Sequence, residues 1–571
     1  MSAIDFASSD AETPLLFTQI VHPTHDSDYG SRALAQSFPS AGSNKSRSIQ
    51  SHTASEDDDV TAPSETPGAG RNLGWGSAYI LIISRVIGSG IFATPGAIAS
   101  SAGSIGLSLL LWVVGALISW CGLAVSLEYG CMLPRSGGYK VYLEFTYPRP
   151  RFLASTLVTV HAVVLGFTAS NCIVFGEYLL FALGKTPSAH RLEVRVLAVG
   201  LMTAITVTHG CFRQTGILVQ NILGWVKVGL IVFVILASGL VVAGGHWPSH
   251  DGWPESELDL HQWPAMWDGI WEGSVWNWGV LSTALFKVFY SYAGLDNVNN
   301  VLNEVRDPVR TLPSASLTAL GTACLLYLLI NVAYFLVVPL QDIKDSGELI
   351  AALFFERILG QSFGRFLLPL AVAISAAGNV MVVTFSLARL NQEIARQGFL
   401  PLGEMLSSSK PFGSPMGGLI VHYIPSVIVI CIPYDNIYSF ILDVEGYPGQ
   451  FFVLAISLGL IWLRWTRPNI KRPYRAFLPV VWFRVIISLA LLSAPFVSRR
   501  GEDWNTHISR VSYALVGTSV IAFGVLYWLV LAVILPWLGG YRLDEATVVL
   551  EDGASVTKLI HVREDDVVDA A

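Results

Sequence analysis

The chain alternates between long apolar runs and short polar connections. About twelve of these runs are long enough to cross a bilayer as helices of roughly 20 residues. The pattern therefore predicts an all-α membrane protein. The approximate centres of the runs lie near residues 88, 117, 167, 199, 230, 290, 325, 380, 425, 452, 488 and 524.

The polar connections differ in charge, which predicts the side of the membrane that each occupies. Those after the second and tenth runs are rich in Lys and Arg, whereas residues 244–272 contain six acidic residues and no Lys or Arg. Cytoplasmic loops carry the excess of basic residues. We therefore predict that both termini are cytoplasmic.

The first run is interrupted near its middle by Gly88, Ser89 and Gly90. A transmembrane helix normally satisfies its own backbone, so two glycines at this depth indicate a broken helix. The N–H groups that start its second half, together with the helix dipole, would attract a carboxylate. Close packing of helices at small residues explains the fragment equally well, so both interpretations stay open at this point.

The sixth run repeats this feature in the stretch from Phe289 to Asn297, where small and polar residues again interrupt an apolar run. Segments that lie five spans apart have opposite orientations in the membrane. Interrupted helices at corresponding places of two halves are typical of inverted-repeat transporters. The pair of interruptions therefore favours a substrate site over simple packing.

Composition supports the membrane assignment and excludes other classes. Only 13% of the 571 residues are charged, whereas soluble domains carry about 25%. All six cysteines lie in or beside apolar runs, so no disulfide framework is predicted. The sequence has no phosphate-binding loop, no metal-ligand spacing and no hydrolase motif, and no basic stripe that would suit nucleic acid. We therefore expect neither a cofactor, nor a metal, nor an enzymatic activity.

The two tails differ from the apolar region. Residues 1–72 are rich in Ser, Thr, Asp and Pro and lack an apolar core, so a disordered cytoplasmic segment is predicted. In the C-terminal tail, residues 541–571, the Asp552–Gly553 pair predicts a turn between strands at 547–550 and 555–562. A disordered acidic tail is the alternative. A hairpin docked on the cytoplasmic face is hypothesised to hold the inward gate shut.

Three blocks resemble the amino acid–polyamine–organocation superfamily, and within it the L-type branch. They are Arg85–Pro95, Glu128–Tyr139 and Asn299–Pro313, and the stretch 297–312 is similar to fungal high-affinity methionine permeases. The resemblance covers about residues 72–540 and implies a LeuT-type fold of five-plus-five inverted repeats with two further helices. The transmembrane domain, 73–540, would then divide into 73–243, 274–463 and 478–538.

The resemblance implies a substrate site at the interrupted first span. Backbone N–H groups of Gly88, Ser89 and Gly90, with the Ser89 hydroxyl, would bind the substrate carboxylate. The carbonyls of Val86 and Ile87 would accept hydrogen bonds from its ammonium group. Because a zwitterion bound in this way needs no buried countercharge, a neutral amino acid fits better than a cationic one.

The same resemblance assigns further contacts to other spans. The carbonyls of Tyr290, Ser291 and Ala293 would complete the ammonium site, and the Tyr290 ring would gate it. Asn171 and Asn379 match pocket-lining positions. Interface packing is the alternative for Tyr290, and a helix–helix hydrogen bond is the alternative for the two asparagines.

Charged residues inside apolar runs are costly and mark functional sites. Lys227, in the fifth run, corresponds to a lysine that replaces a sodium ion in sodium-independent relatives. We expect it to stabilise the broken first helix, with proton coupling and snorkelling as alternatives. Glu128 and Arg135 lie toward the cytoplasmic end of the second run, where a gate ion pair and surface anchoring are both consistent with the sequence.

Three acidic residues are further candidates for coupling. Glu177 in the third run, and Asp443 and Glu445 in the tenth, could each bind a proton if desolvation favours the neutral carboxyl. Exposure near a membrane surface is the preferred interpretation for all three.

Together these features predict a secondary active transporter that imports a neutral amino acid, with methionine as the first substrate and cysteine as another, across the plasma membrane. Proton-driven uptake is preferred. A broader exchanger, a non-transporting receptor and a channel are the alternatives. Residues 184–191 contain no cysteine, so no disulfide-linked heavy chain is predicted. Lys45 and Lys558 are hypothesised ubiquitination sites.

Overall fold

The computed structural model describes residues 74–88, 90–134, 137–212, 223, 229–237, 239, 269–296, 298–299, 302, 305–409, 413–433, 437–497, 504–549 and 555–563. The predicted N-terminal tail lies outside the described residues. So do Ser89, Arg135 and Lys227, which the sequence singled out.

The first apolar run forms two helices. Helix α1 (Trp75–Val86) ends where Ile87 adopts an extended conformation, with φ −75° and ψ 90°, and α2 (Gly90–Ala102) begins after the interruption. The predicted break of the first span is confirmed. The second span is α3 (Ile105–Met132), which is followed by the short α4 (Tyr139–Thr146).

The third run is also divided, although its sequence predicted one continuous span. Helices α5 (Leu153–Val164) and α6 (Ala169–Ala182) flank a non-helical segment at residues 165–168. A 3₁₀ turn at Pro187–Ala189 leads to the fourth span, α7 (Arg191–Cys211). Residues 229–237 are helical and belong to the fifth span.

The sixth run begins as α8 (Trp278–Ser291) and then leaves the helical path in turns at residues 292–296. Gly294 has a φ of +104°, a conformation that residues with a Cβ rarely adopt. The second predicted interruption is therefore confirmed. The next helices are α9 (Pro308–Val337), α10 (Leu340–Asp345) and α11 (Ile350–Phe363).

The remaining helices include the last five spans. Among the described residues, eight helical segments are long and apolar enough to cross a membrane, and α14 is a shorter apolar helix. Together with the two interrupted spans and the partly described fifth span, they account for the predicted set. The helices are α12 (Leu367–Arg396), α13 (Gly403–Ser407), α14 (Met416–Cys431), α15 (Ile437–Thr466), α16 (Leu478–Ser493), α17 (Trp504–Leu529) and α18 (Leu535–Gly539), with a 3₁₀ turn at Ala494–Phe496 and a π turn at Val530–Ile534.

The two interrupted spans pack against each other. Helix α8 packs on α2, and α1 packs on α9, while α12 lies against both α6 and α14. Phe92 on α2 and Phe286 on α8 are fully buried, each with 0% of the side chain exposed. The ends of the broken helices are thereby brought together inside the protein, away from lipid.

The C-terminal tail forms an antiparallel hairpin of β1 (Tyr541–Val549) and β2 (Ser555–Arg563). The first strand starts earlier than predicted, and the turn itself lies outside the described residues. The N–H of Leu559 donates to the carbonyl of Gln397, just beyond α12, at 3.0 Å. The Leu559 side chain packs with Ile394 and Phe399. The hairpin is thus docked on the end of α12.

Candidate substrate-binding site

The broken ends of the first and sixth spans are joined directly by hydrogen bonds. The hydroxyl oxygens of Thr94 on α2 and Ser291 on α8 lie 3.0 Å apart. The hydroxyl of Tyr327 on α9 lies 2.8 Å from the carbonyl oxygens of both Val86 and Ser291. Since these carbonyls end helical segments, the single hydroxyl proton of Tyr327 is shared between two groups that the breaks leave without helical partners.

A cavity opens beside these breaks, with an empty volume of about 520 Å³. Eight of the ten predicted substrate-binding residues line it: Val86, Gly88, Gly90, Asn171, Tyr290, Ser291, Ala293 and Asn379. Six lining residues were not predicted as substrate-binding: Arg85, Phe167, Thr168, Ser170, Val383 and Glu445.

The two glycines of the first break are held by close contacts. A Cβ on Gly88 would come within 2.9 Å of Nδ2 of Asn379, and a Cβ on Gly90 would come within 3.1 Å of Oγ of Ser291. The packing and binding interpretations are therefore not exclusive. The small residues allow neighbouring helices to approach, and the same approach leaves backbone groups at the wall of the cavity.

The opposite wall is polar. Asn379 on α12 donates to Oδ1 of Asn171 on α6 at 3.2 Å, and both line the cavity. The hydroxyls of Ser170 and Tyr290 lie 3.2 Å apart. The helix–helix hydrogen bond that was the alternative for the asparagines exists, and it lies on the cavity wall.

Several carbonyls assigned to the substrate ammonium already accept hydrogen bonds. The carbonyl of Tyr290 accepts from the N–H of Ala293 at 3.2 Å. Those of Val86 and Ser291 face the Tyr327 hydroxyl, as described above. A substrate ammonium would therefore have to share these oxygens with protein donors, which a carbonyl with two lone pairs permits.

Arg85 lines the cavity, although the sequence did not lead us to predict it as a substrate-binding residue. It lies in the last turn of α1, and a Cβ on Gly294 would overlap its side chain. The signal was present, since an arginine inside an apolar run is a functional candidate by default. Its charge interacts with that of Glu445, which reaches the cavity from α15.

The expectation that three acidic residues are exposed at a membrane surface is wrong. Asp443 is only 8% exposed, and its Oδ1 lies 3.6 Å from Nζ of Lys287 on α8. Glu177 faces Glu348, with which it shares a carboxyl hydrogen bond. Glu445 lines the cavity. Neighbouring helices, which single-chain patterning does not show, bury Asp443 and half-bury Glu177 and Glu445.

Glu128 forms an ion pair instead of anchoring at a surface, because 0% of it is exposed. It accepts from Nε of Arg464 at 3.1 Å and from the N–H of Ala476 at 2.8 Å, and it also pairs with Nη2 of Arg464. Nε of Arg472 lies 3.5 Å away. Burial lowers the pKa of the Arg472 guanidinium and the Glu128 carboxylate opposes this shift. The cluster ties α3 to the connection between α15 and α16.

Comparison with known proteins assigns this fold and cavity to a family. The family model described as amino acid permease matches residues 73–522. The chain belongs to the amino acid permease family. Its interrupted first and sixth spans agree with the LeuT-type architecture that the resemblance implied.

Curated relatives are amino acid transporters. The permease is 32% identical to the high-affinity methionine permease of Saccharomyces cerevisiae, over 87% of this chain and 86% of the relative. It is 30% identical to the low-affinity methionine permease of the same yeast, over 86% and 88%. The b(0,+)-type amino acid transporter 1 of Mus musculus is 28% identical, over 79% and 88%. The protein is therefore a multi-pass membrane protein that transports amino acids.

Proposed function

We propose that this permease imports methionine across the plasma membrane by alternating access, driven by protons. The observation that carries the proposal is the cavity between the two helix breaks. It combines backbone at the start of α2 with a polar wall and one pair of opposite charges, Arg85 and Glu445. Such a lining is neutral overall, as the substrate is.

The two ends of a zwitterion fit different parts of this cavity. The start of α2 carries the positive end of a helix dipole and N–H groups that have no partner within the helix, which favours the substrate carboxylate. The carbonyls at the end of α1 and the end of α8 favour its ammonium group. Opposite helix ends at one site explain why a neutral amino acid is the preferred class.

Methionine is proposed because the two yeast relatives are methionine permeases and because the wall includes Phe167 and Val383 beside the polar groups. Sulfur makes favourable contacts with aromatic rings. A methylene-sized difference in a pocket changes binding by only about 1–3 kcal/mol. Cysteine, and other sulfur-containing or bulky neutral amino acids, are therefore expected to compete with methionine more weakly.

The proposed arrangement places both termini in the cytoplasm. Residues 73–243 and 274–463 would form the two repeats, with 478–538 as two added helices. In this orientation α10 and α11 lie outside, and the docked hairpin lies on the cytoplasmic side. Lys45 and Lys558 would then be accessible to cytoplasmic ubiquitinating enzymes. No disulfide-linked heavy chain takes part in the proposed arrangement.

Uptake by the purified full-length protein in lipid vesicles tests this function. We expect saturable accumulation of labelled methionine that increases with an inward proton gradient and is inhibited by neutral but not cationic amino acids. Uptake that requires amino acid inside the vesicle would indicate an exchanger. Binding without accumulation would indicate a receptor, and flux that does not saturate would indicate a channel.

A further inference from the structure

Among the described residues that line the substrate cavity, two are charged and twelve are not. The charged pair comes from helices far apart in the sequence, since Arg85 lies in the last turn of α1 and Glu445 lies on α15. Their charges attract each other across the cavity. A charged pair inside a membrane protein is costly and is retained for function by default.

One oxygen of the Glu445 carboxyl group, the buried Oε1, has no hydrogen-bond partner within the described part of the chain. Glu177 and Asp443 each have such an oxygen too, but neither of them is among the described residues that line the cavity. A structural carboxylate in such a place is normally held by several donors, as Glu128 is by Arg464 and Ala476. Glu445 therefore resembles a group that changes its protonation state, while Glu128 resembles a permanent ion.

Among the residues that the structure describes, the ionisable groups that interact with Glu445 are Arg85 from α1, Tyr290 from α8 and Tyr438 from α15 itself. The other charged side chains that the structure describes on α15, and on the helices packed against it, have their own partners. These pairs are Lys287 with Asp443, Glu177 with Glu348, Glu128 with Arg464, Lys140 with Glu144, and Arg484 with Gln450 and Ser488.

We infer that Glu445 carries the proton that enters with the substrate, and that Arg85 couples this proton to the substrate carboxylate. The inference rests on the proposed proton-driven uptake. When Glu445 is ionised, it attracts Arg85. When a proton from external water binds to Glu445, Arg85 loses the attraction of that carboxylate and keeps only that of Asp296 among the described carboxylates that act on it. Its charge is then more available to the carboxylate of a zwitterion at Gly88 and Gly90.

Proton and substrate then bind with positive coupling, because each favours the arrangement that the other needs. On the cytoplasmic side the proton leaves Glu445 for water, the carboxylate attracts Arg85 again, and the substrate is released. Thermodynamic linkage requires the effect to be reciprocal. For one coupled proton, the apparent affinity for methionine should change roughly tenfold per pH unit where Glu445 is mostly ionised before methionine binds.

The test uses the purified full-length protein in detergent. Binding of labelled methionine is measured at pH 5.5, 6.5 and 7.5, and calorimetry in two buffers of different ionisation enthalpy measures proton uptake. The wild type should take up about one proton per methionine bound. Glu445→Gln should take up none, and its affinity should not vary with pH.

Glu177→Gln is the matched control, because Glu177 is the competing carboxyl and does not line the cavity, and Gln can keep a hydrogen bond to Glu348. It should retain the wild-type proton uptake. Proton uptake that survives in Glu445→Gln, or is lost in Glu177→Gln alone, overturns the assignment. A wild type that takes up no proton contradicts proton-driven uptake itself, which is a different failure.

Two further variants decide the case in which Glu445→Gln binds no methionine. Glu445→Asp keeps a carboxyl and should restore proton-linked binding, and failure to do so overturns the assignment. Arg85→Met should make methionine binding independent of pH, because the proton then has no cation through which to act. Methionine binding to Arg85→Met that still weakens with rising pH overturns the coupling role of Arg85.

Discussion

The side chain of Asn379 donates a hydrogen bond of 3.2 Å to Asn171, across 208 positions of sequence. The same Nδ2 atom lies 2.9 Å from where a Cβ on Gly88 would stand. One amide therefore joins two spans and limits the size of the residue at the first break.

Gly88→Ala should strongly reduce methionine uptake, because the added methyl group displaces Asn379 from the cavity wall. Uptake at several methionine concentrations measures the effect. Gly76→Ala is the control, since nothing lies within 4 Å of a Cβ there. If the cause is this overlap, Gly88→Ala should reduce uptake much less in a protein that already carries Asn379→Ala than it does in the wild type. Full activity of Gly88→Ala would exclude a tight contact at the break.

Tyr327→Phe should impair both stability and transport. It removes the hydroxyl that faces two buried carbonyls, and each buried group left unsatisfied costs about 1–3 kcal/mol. The midpoint of thermal unfolding in detergent and uptake in vesicles measure the two effects. Tyr334→Phe is the matched control, because its hydroxyl is buried on the same helix and has no partner among the described residues. Equal effects of the two variants would contradict a specific role of Tyr327.

Glu128→Gln should destabilise the protein strongly. Removing one partner of a buried ion pair leaves the other charge uncompensated, which costs about 3–5 kcal/mol. The thermal midpoint and the yield of folded protein measure this. Glu193→Gln breaks an exposed pair with Lys185, whose side chain is 45% exposed, and should change stability little, because exposed ion pairs are screened by water. Similar losses in both variants would show that burial of the Glu128 pair does not matter.

Leu559→Asp should release the C-terminal hairpin, because a charge would replace an apolar side chain that packs with Ile394 and Phe399. Faster proteolysis of the tail measures release. Thr557→Asp, at an exposed position of the same strand, is the control. If the hairpin holds the inward gate shut, Leu559→Asp and a deletion of residues 547–571 should both change uptake. Unchanged uptake and surface abundance would leave the hairpin without that role.

Lys227→Met should lose transport at every pH, because the lysine is predicted to brace the broken first helix. Uptake between pH 5 and pH 8 tests this. The position lies outside the described residues, so the prediction depends on sequence and resemblance alone. Activity that survives with a moved pH optimum would make Lys227 a participant in proton transfer.

Both helix breaks were predictable from sequence, because small and polar residues interrupt an apolar run at corresponding places of two spans that lie five apart. The interruption of the third span at 165–168 was not predictable. Gly166 is the one strong helix breaker within those four residues, and single glycines occur in intact helices. The formation of the tail hairpin was predictable, but its docking was not. The Asp552–Gly553 turn indicated it, but its docking on Gln397 depends on a surface formed elsewhere in the chain.

The sequence by itself determined the number of spans and the two broken helices, because apolar length and local backbone chemistry are local properties. The residues expected around the cavity came from the resemblance to a known family. Only the tertiary structure decided which charges meet. Arg85 and Glu445, and Lys287 and Asp443, lie on different helices, and nothing in the local sequence of either partner specifies the other. The energy of a buried charge depends on the group that faces it, so their roles followed from packing.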